Sequence, residues 1–159
     1  GKTSFLKVIT GISEMESGEI VNNTKNQVYV GHKYGLKTNL TVSENLILDL
    51  QNNNSDKRMN LAQVMEMYKM SKYRDVLVKH LSHGLQKRVS LMRTLLLDSD
   101  IWILDEPFSA LDEETKKILD KTFIEAIKQN KTIIVTSHSI LKHDRIDIQN
   151  YLLEDGRIQ

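Results

Sequence analysis

Two adjacent acidic residues follow a short apolar run near the middle of the chain. Ile101–Leu104 is too short for a helix and predicts a buried strand, and Asp105 and Glu106 come directly after it. Carboxylates at the end of such a strand lie at the edge of an α/β sheet where ligands bind. There, Asp105 could hold Mg²⁺ through its water shell, and Glu106 could polarise an attacking water as a general base. The alternative is a strand that ends in a solvated acidic turn.

The first residues, Gly1-Lys2-Thr3-Ser4, match the end of the P-loop pattern and open a helical spacing of apolar residues. In a P-loop the backbone amides and the helix N-terminus surround the phosphates. The pattern therefore places Gly1 and Ser4 in the phosphate cradle, Lys2 against the β and γ oxygens, and Thr3 on Mg²⁺. So short a match also occurs by chance. Because the earlier positions of the pattern are absent, we expect this chain to be a fragment of a longer protein.

A third motif lies between these two. Residues 81–89 read Leu-Ser-His-Gly-Leu-Gln-Lys-Arg-Val. This segment resembles the signature of ATP-binding cassette (ABC) transporters, Leu-Ser-Gly-Gly-Gln followed by a basic helix. The interval from Ser82 to Asp105 is the one that this family uses for a helix leading into the Walker B strand. The alternative, a serine N-cap on an amphipathic helix, is compatible with the resemblance, since a cap points the Ser82 hydroxyl and the helix amides at a phosphate.

The resemblance to ABC ATPases covers the whole chain in the family's order and implies further site residues. Asp112 occupies the D-loop position, which contacts the opposite protomer. His138 stands where the family has its switch histidine, although a lone histidine is more often structural. The resemblance also implies ATP and Mg²⁺ as cofactors and a head-to-tail pair of protomers. In that pair, Ser82 and Gly84 of one protomer would contact the nucleotide held by the other.

Three positions depart from the family pattern. His32 stands where ABC ATPases have a glutamine, and residues 31–37 resemble the Gly-His-x-x-Gly-x-Lys segment of the haem-exporter ATPases of c-type cytochrome biogenesis. An imidazole is a poorer Mg²⁺ ligand than an amide oxygen, so we expect His32 to act through water. His83 and Leu85 replace signature residues. A degenerate subunit that binds nucleotide without turnover therefore stays open, although the presence of both Asp105 and Glu106 argues against it.

The apolar patterning predicts an α/β protein with a parallel sheet, because a strand, a helix and a strand follow one another through short links. The resemblance makes this a P-loop NTPase (RecA-like) core with an inserted ABC α-helical subdomain, lacking its N-terminal strands. We predict a single, partial ABC ATPase domain over residues 1–159. The core would comprise residues 1–37 and 101–159, and the helical subdomain with its signature motif would comprise residues 38–100.

Composition excludes several classes of function. The chain has 159 residues, enough for one core, and its 22 Lys+Arg against 21 Asp+Glu give a net charge of +1. This balance provides no general attraction to nucleic acid, so we expect no nucleic-acid partner. The absence of cysteine excludes disulfides and thiolate metal sites. No apolar run approaches the ~18 residues of a membrane span.

These observations favour an ATP-hydrolysing subunit of an ABC transporter that exports haem for the biogenesis of c-type cytochromes. We expect it to attach to integral membrane transporter subunits at the cytoplasmic face of the inner membrane. The alternatives are the ATPase of another ABC exporter or importer and a non-transport ABC protein of the translation-factor type. Since part of the phosphate-binding loop is absent, the chain as it stands is expected to bind ATP weakly.

Overall fold

A computed structural model describes residues 1–23, 26–51 and 59–159 of the chain. It contains five α-helices, five strands and two short 3₁₀ turns within these ranges. The helices are α1 (Lys2–Ile9), α2 (Val42–Gln51), α3 (Leu61–Met67), α4 (His83–Leu96) and α5 (Glu113–Lys128); the strands are β1 (Gln27–Val30), β2 (Ile101–Leu104), β3 (Thr132–Val135), β4 (Leu153–Glu154) and β5 (Arg157–Ile158); the 3₁₀ turns are Ser71–Tyr73 and Val78–His80.

Three parallel strands form the main sheet in the order β1-β2-β3. Val30 pairs with Leu104, and Leu104 pairs with Val135, so the three strands end at the same level. Since parallel strands share their carboxyl edge, the residues that follow them emerge together there. The predicted α/β fold with a parallel sheet is confirmed.

One hydrophobic core joins the sheet to the helices. Trp102 of β2 is almost fully buried, and its ring packs against Phe123 of α5 with 6.4 Å between centroids. Phe123 in turn contacts Phe108 edge-on at 5.6 Å. Leu46 of α2 and Leu91 of α4 are fully buried in the same cluster. The helices between β1 and β2 therefore share their core with the sheet, and the division into a RecA-like core and a helical subdomain stays a prediction.

The apolar spacing of this segment predicts a helix from about Leu61 to Met70, and α3 ends earlier, at Met67. Lys69 adopts a left-handed backbone with φ of 53°, and its N–H donates to the Glu66 carbonyl at 2.9 Å. The next N–H, of Met70, donates to the Met65 carbonyl at 2.7 Å. These two bonds around a left-handed residue form a Schellman ending. The predicted helix and its start at Leu61 are confirmed, whereas its predicted end near Met70 was wrong, since no glycine or asparagine marks the stop in the sequence.

The run of polar residues 51–56 predicts a surface loop. Gln51 instead closes α2, so the loop prediction was wrong at this residue. Residues 52–56 lie outside the described part of the chain. The prediction therefore remains untested for most of the segment.

The last two strands form the hairpin that Asp155-Gly156 predicts. Leu153 pairs with Ile158 in an antiparallel ladder. Asp155 and Gly156 both have positive φ, 48° and 75°, which a two-residue type I′ turn requires. The structure therefore confirms the hairpin that this dipeptide predicts.

Helix α5 is the longest helix of the described chain, with 16 residues, and it is amphipathic. Asp112 caps it by accepting a hydrogen bond from the Thr115 N–H at 2.7 Å.

Within residues 1–23, 26–51 and 59–159, no helix is both long and apolar enough to cross a membrane. The helices instead bury one face against the sheet or against each other.

We expect Leu119→Ala to lower the free energy of unfolding by about 2–5 kcal/mol, because Leu119 is fully buried on the inner face of α5. The matched control is Ile127→Ala on the same helix, whose side chain is 38% exposed. That variant should cost about 1 kcal/mol or less. Urea unfolding followed by circular dichroism measures both, and equal losses would contradict the burial of Leu119.

Candidate functional site

Asp105 is the centre of a hydroxyl–carboxylate–hydroxyl arrangement at the carboxyl edge of the sheet. Its side chain is buried, with 3% relative exposure. Asp105 Oδ2 accepts a hydrogen bond from Thr3 Oγ1 at 2.6 Å, and Oδ1 accepts one from Thr136 Oγ1 at 2.6 Å. Thr3 belongs to the first turn of α1, whereas Thr136 follows β3 directly. Three separate elements therefore hold one carboxylate in a single orientation.

Glu106 has a left-handed backbone and a side chain that reaches solvent. Its φ is 50°. This left-handed conformation is energetically unfavourable for a residue with a Cβ and is concentrated at functional sites. The backbone N–H of Glu106 donates to Thr136 Oγ1 at 3.0 Å. Glu106 Oε1 lies 2.7 Å from His138 Nε2, with the two side chains 27% and 77% exposed. A carboxylate in this position is accessible to water and has an imidazole partner within hydrogen-bond distance.

A second group of predicted site residues meets at the start of α4. Ser82 caps this helix, and its hydroxyl accepts a hydrogen bond from the Leu85 N–H at 3.3 Å. A Cβ on Gly84 would lie 3.1 Å from the Ala110 carbonyl oxygen, so glycine allows the close approach of this backbone. Ser82, Gly84 and Asp112 line a small cavity of about 80 Å³.

The Asp112 carboxylate is engaged by its own chain. Thr115 donates to it twice, through its N–H and its hydroxyl, both at 2.7 Å. Arg88 Nη2 lies 2.5 Å from the other carboxylate oxygen. The backbone hydrogen bond from Thr115 is the largest cause that lowers the pKa of Asp112, followed by the Thr115 hydroxyl. These contacts favour the ionised carboxylate of Asp112, which ties α5 to α4.

The remaining predicted site residues lie at the ends of two elements. Gly1 is the N-cap of α1 and has no side chain to accept a capping hydrogen bond, Lys2 is half-buried, and Ser4 is exposed. His32 is exposed in the segment after β1. The structure thus brings Thr3, Asp105, Glu106 and His138 into one connected group, and Ser82, Gly84 and Asp112 into another. The roles of all these residues stay predictions.

Two residues of this region were not singled out by the sequence. Thr136 bridges the Asp105 carboxylate and the Glu106 N–H, and a hydroxyl directly after a strand could have signalled it. Lys87 reaches the Glu106 carbonyl and Ser109 Oγ from α4. No local pattern signals Lys87, because its contacts depend on how α4 packs against the loop after β2.

The oxygen atoms around Asp105 fit a hard divalent cation. Mg²⁺ prefers oxygen ligands and uses one or two protein groups together with water and phosphates. The Thr3 hydroxyl and the Asp105 carboxylate supply such oxygens side by side. The buried Tyr29 hydroxyl has no hydrogen-bond partner among the described residues, and burial and then the Asp105 charge raise its pKa. Described residues contain no group of three or more His, Asp or Glu that would form an all-protein cage.

Residues 1–109 match the family model described as ABC transporter. The chain therefore belongs to the ABC transporter family, as the signature segment predicted. Among its relatives are the cytochrome c biogenesis ATP-binding export protein CcmA of Shewanella sp. (strain MR-4) and that of Pasteurella multocida (strain Pm70). The first is 32% identical over 92% of this chain and 74% of that protein, and the second is 33% identical over 100% and 77%. The predicted resemblance to haem-exporter ATPases is confirmed at the level of sequence.

Solved structures agree with the fold. An ATP-binding subunit of an ABC transporter superposes with a TM-score of 0.79 at 23% identity, over 87% of this chain and 63% of that one. A dimeric ATP-binding cassette bound to ADP and phosphate superposes with a TM-score of 0.75 at 22% identity, over 87% and 70%. The chain thus spans less than two thirds of the first of these subunits. At this identity the superpositions establish the P-loop ABC fold alone.

Proposed function

We propose that this chain is the ATP-binding and ATP-hydrolysing part of an ABC transporter of the type that serves cytochrome c biogenesis, with haem export as its transport step. The main observation behind this proposal is that Thr3 and Thr136 contact Asp105 at the sheet edge, directly beside the Glu106–His138 pair. Five residues from three separate parts of the chain meet where an α/β fold binds its ligand. The relatives are ATP-binding export proteins of cytochrome c biogenesis, which supports the same activity.

The N-terminal turn of α1 would bind the phosphates of ATP. Gly1 and Ser4 contribute backbone at the positive end of the helix, and the Lys2 ammonium neutralises phosphate oxygens. Thr3 and Asp105 would hold Mg²⁺, which supplies charge neutralisation on the β and γ phosphates when it is bound. The hydrogen bond between these two side chains supports their sharing one cation.

Glu106 would accept the proton of the attacking water. A general base must lie within hydrogen-bond reach of that water, and the partly exposed Glu106 carboxylate can receive one. His138, 2.7 Å from Glu106 Oε1, orients this carboxylate and contacts the γ-phosphate side of the site. His32 follows the neighbouring strand at the same edge and would relay the occupancy of the site through water.

A second protomer would complete the site. Ser82 and Gly84 present a capped helix start with close backbone approach, which suits a phosphate supplied by the opposite protomer. Asp112 holds that helix against the loop after β2. The fold likeness to a dimeric cassette supports such a pair. Integral membrane subunits would bind the dimer at the cytoplasmic face of the inner membrane, and closure of the dimer would act on them.

The test is complementation. A bacterium that lacks its own cytochrome c biogenesis export ATPase receives the full-length protein, and c-type cytochromes are measured by haem staining of membrane proteins. Restored cytochromes support the proposal. If the purified protein hydrolyses ATP and co-purifies with membrane subunits but restores no cytochromes, it belongs to another ABC transporter. Recovery with ribosomes instead of membranes would favour the translation-factor alternative.

A further inference from the structure

Lys87 is a buried lysine whose ammonium lies against the backbone of the candidate base. Its side chain is 2% exposed. Lys87 Nζ donates to the Glu106 carbonyl oxygen and, at 2.7 Å, to Ser109 Oγ. Ser109 donates to the same carbonyl through its hydroxyl at 2.9 Å and its N–H at 3.1 Å. One carbonyl oxygen thus collects three donors from two elements.

Burial of this ammonium is costly unless its contacts offset the loss of water. Burial is the largest influence on the Lys87 pKa and lowers it, while the negative charges of Glu106 and Asp105 act in the opposite direction. An apolar side chain would fill the same space without this cost. A buried charge at this position therefore points to a role in the arrangement of the acidic turn.

The Glu106 backbone needs such support because it is left-handed, with φ of 50°. Residues with a Cβ adopt this region only where the surroundings enforce it. Thr136 holds the turn on the N–H side of Glu106, at 3.0 Å. Lys87 and Ser109 hold it on the carbonyl side. Ala110, the next left-handed residue at φ 57°, presents its carbonyl to Gly84 of the same helix as Lys87.

We propose that Lys87 is a positioning residue that couples the signature helix α4 to the backbone of Glu106 within one protomer. The inference rests on the proposed ATPase function. When α4 is docked, Lys87 holds the Glu106 carbonyl and thereby the direction of its carboxylate. When α4 shifts, this hold is released and the base loses its orientation. Lys87 has this effect without touching the nucleotide.

The experiment compares Lys87→Met, Lys87→Gln and wild type in the full-length protein. Steady-state ATPase gives kcat and KM, and a fluorescent ATP analogue gives nucleotide affinity. Misplacing a catalytic group by about 1 Å can cost about 100-fold in rate, so Lys87→Met should lower kcat about 10- to 100-fold. KM and nucleotide affinity should stay within about twofold, because only the chemical step depends on Glu106. Lys87→Gln keeps an N–H donor and should recover part of kcat.

The matched control is Lys131→Met. Lys131 Nζ also donates to a backbone carbonyl, that of Ser99 at 2.6 Å, but at the opposite end of the sheet. Its kcat should equal that of wild type. A Lys87→Met protein with wild-type kcat overturns the inference, as does an equal loss of kcat and nucleotide affinity. If Lys87→Met does not fold, Lys87→Gln is judged by the same criterion. A wild-type protein without ATPase activity would overturn the proposed function itself.

Discussion

Glu106→Gln should abolish nearly all ATP hydrolysis and leave nucleotide binding intact. The amide has the shape of the carboxylate and can keep the 2.7 Å contact with His138, but it cannot accept a proton from water. Loss of a general base costs about 100- to 10,000-fold in rate. Phosphate release measured on the full-length protein gives the rate. Size-exclusion chromatography with ATP should show the dimer accumulating, because the closed dimer persists when ATP is not hydrolysed.

Glu113→Gln is the control for this variant. Glu113 is an exposed residue in the first turn of α5 that pairs with Lys116 at 2.7 Å. Its loss removes one carboxylate near the same loop without touching the site, so hydrolysis should be unchanged. Glu106 is not the base if Glu106→Gln retains wild-type turnover, or if it loses turnover while no ATP-bound dimer accumulates.

Asp105→Asn should raise the Mg²⁺ concentration required for half-maximal ATPase activity. Groups that orient a metal through its water shell or its ligands typically contribute about 10- to 100-fold to affinity or activity. The amide can still form hydrogen bonds with Thr3 and Thr136, since a hydroxyl both donates and accepts. The fold should therefore survive, and thermal unfolding separates lost metal affinity from lost structure.

Asp100→Asn provides the comparison on the same strand. Asp100 precedes β2 at its opposite end and is exposed. Neutralising it should leave the Mg²⁺ dependence unchanged. Equal Mg²⁺ dependence of Asp105→Asn and wild type would remove Asp105 from the metal site. A large drop in melting temperature for Asp105→Asn alone would show that its charge mainly stabilises the sheet edge.

The two departures in the signature segment have structural explanations. Leu85, which replaces a glutamine, is partly buried and packs against the hydrophobic core. The next residue, Gln86, donates its side-chain amide to the Val78 and Leu81 carbonyls at 3.2 and 3.1 Å. His83 is exposed at the first position of α4, where it leaves the Ser82 cap intact. The departures thus keep the helix start in place, whatever they change in phosphate contact.

The order of strands and helices was predictable from local patterns. The apolar run Ile101–Leu104 is too short for a helix and predicts a buried strand. Asp155-Gly156 predicts the turn of the C-terminal hairpin, because a type I′ turn requires positive φ at both positions. The end of α3 was not predictable in this way. Lys69 adopts a conformation that its side chain disfavours, and packing of the surrounding segment selects it.

The candidate site also has features that the sequence predicted and others that only the fold explains. Motif spacing identified Thr3, Asp105, Glu106 and His138, because the chemistry of phosphate transfer restricts which residue types can stand after a strand or at a helix start. The parallel sheet, whose strands end at one level, brings them together as two contacting pairs, Thr3 with Asp105 and Glu106 with His138, which Thr136 links. Their functional roles remain predictions for the variants above to test.

What only the tertiary structure decided is how the acidic turn is held. Thr136 and Lys87 reach Glu106 from parts of the chain that no local pattern links to it. A left-handed glutamate and a buried ammonium are each unfavourable alone, and packing of α4 against the loop after β2 makes them compatible. The sequence by itself indicated which groups are candidates for ATP hydrolysis. The packing determined how Glu106, the proposed base, is oriented, because orientation depends on long-range contacts that residue type does not encode locally.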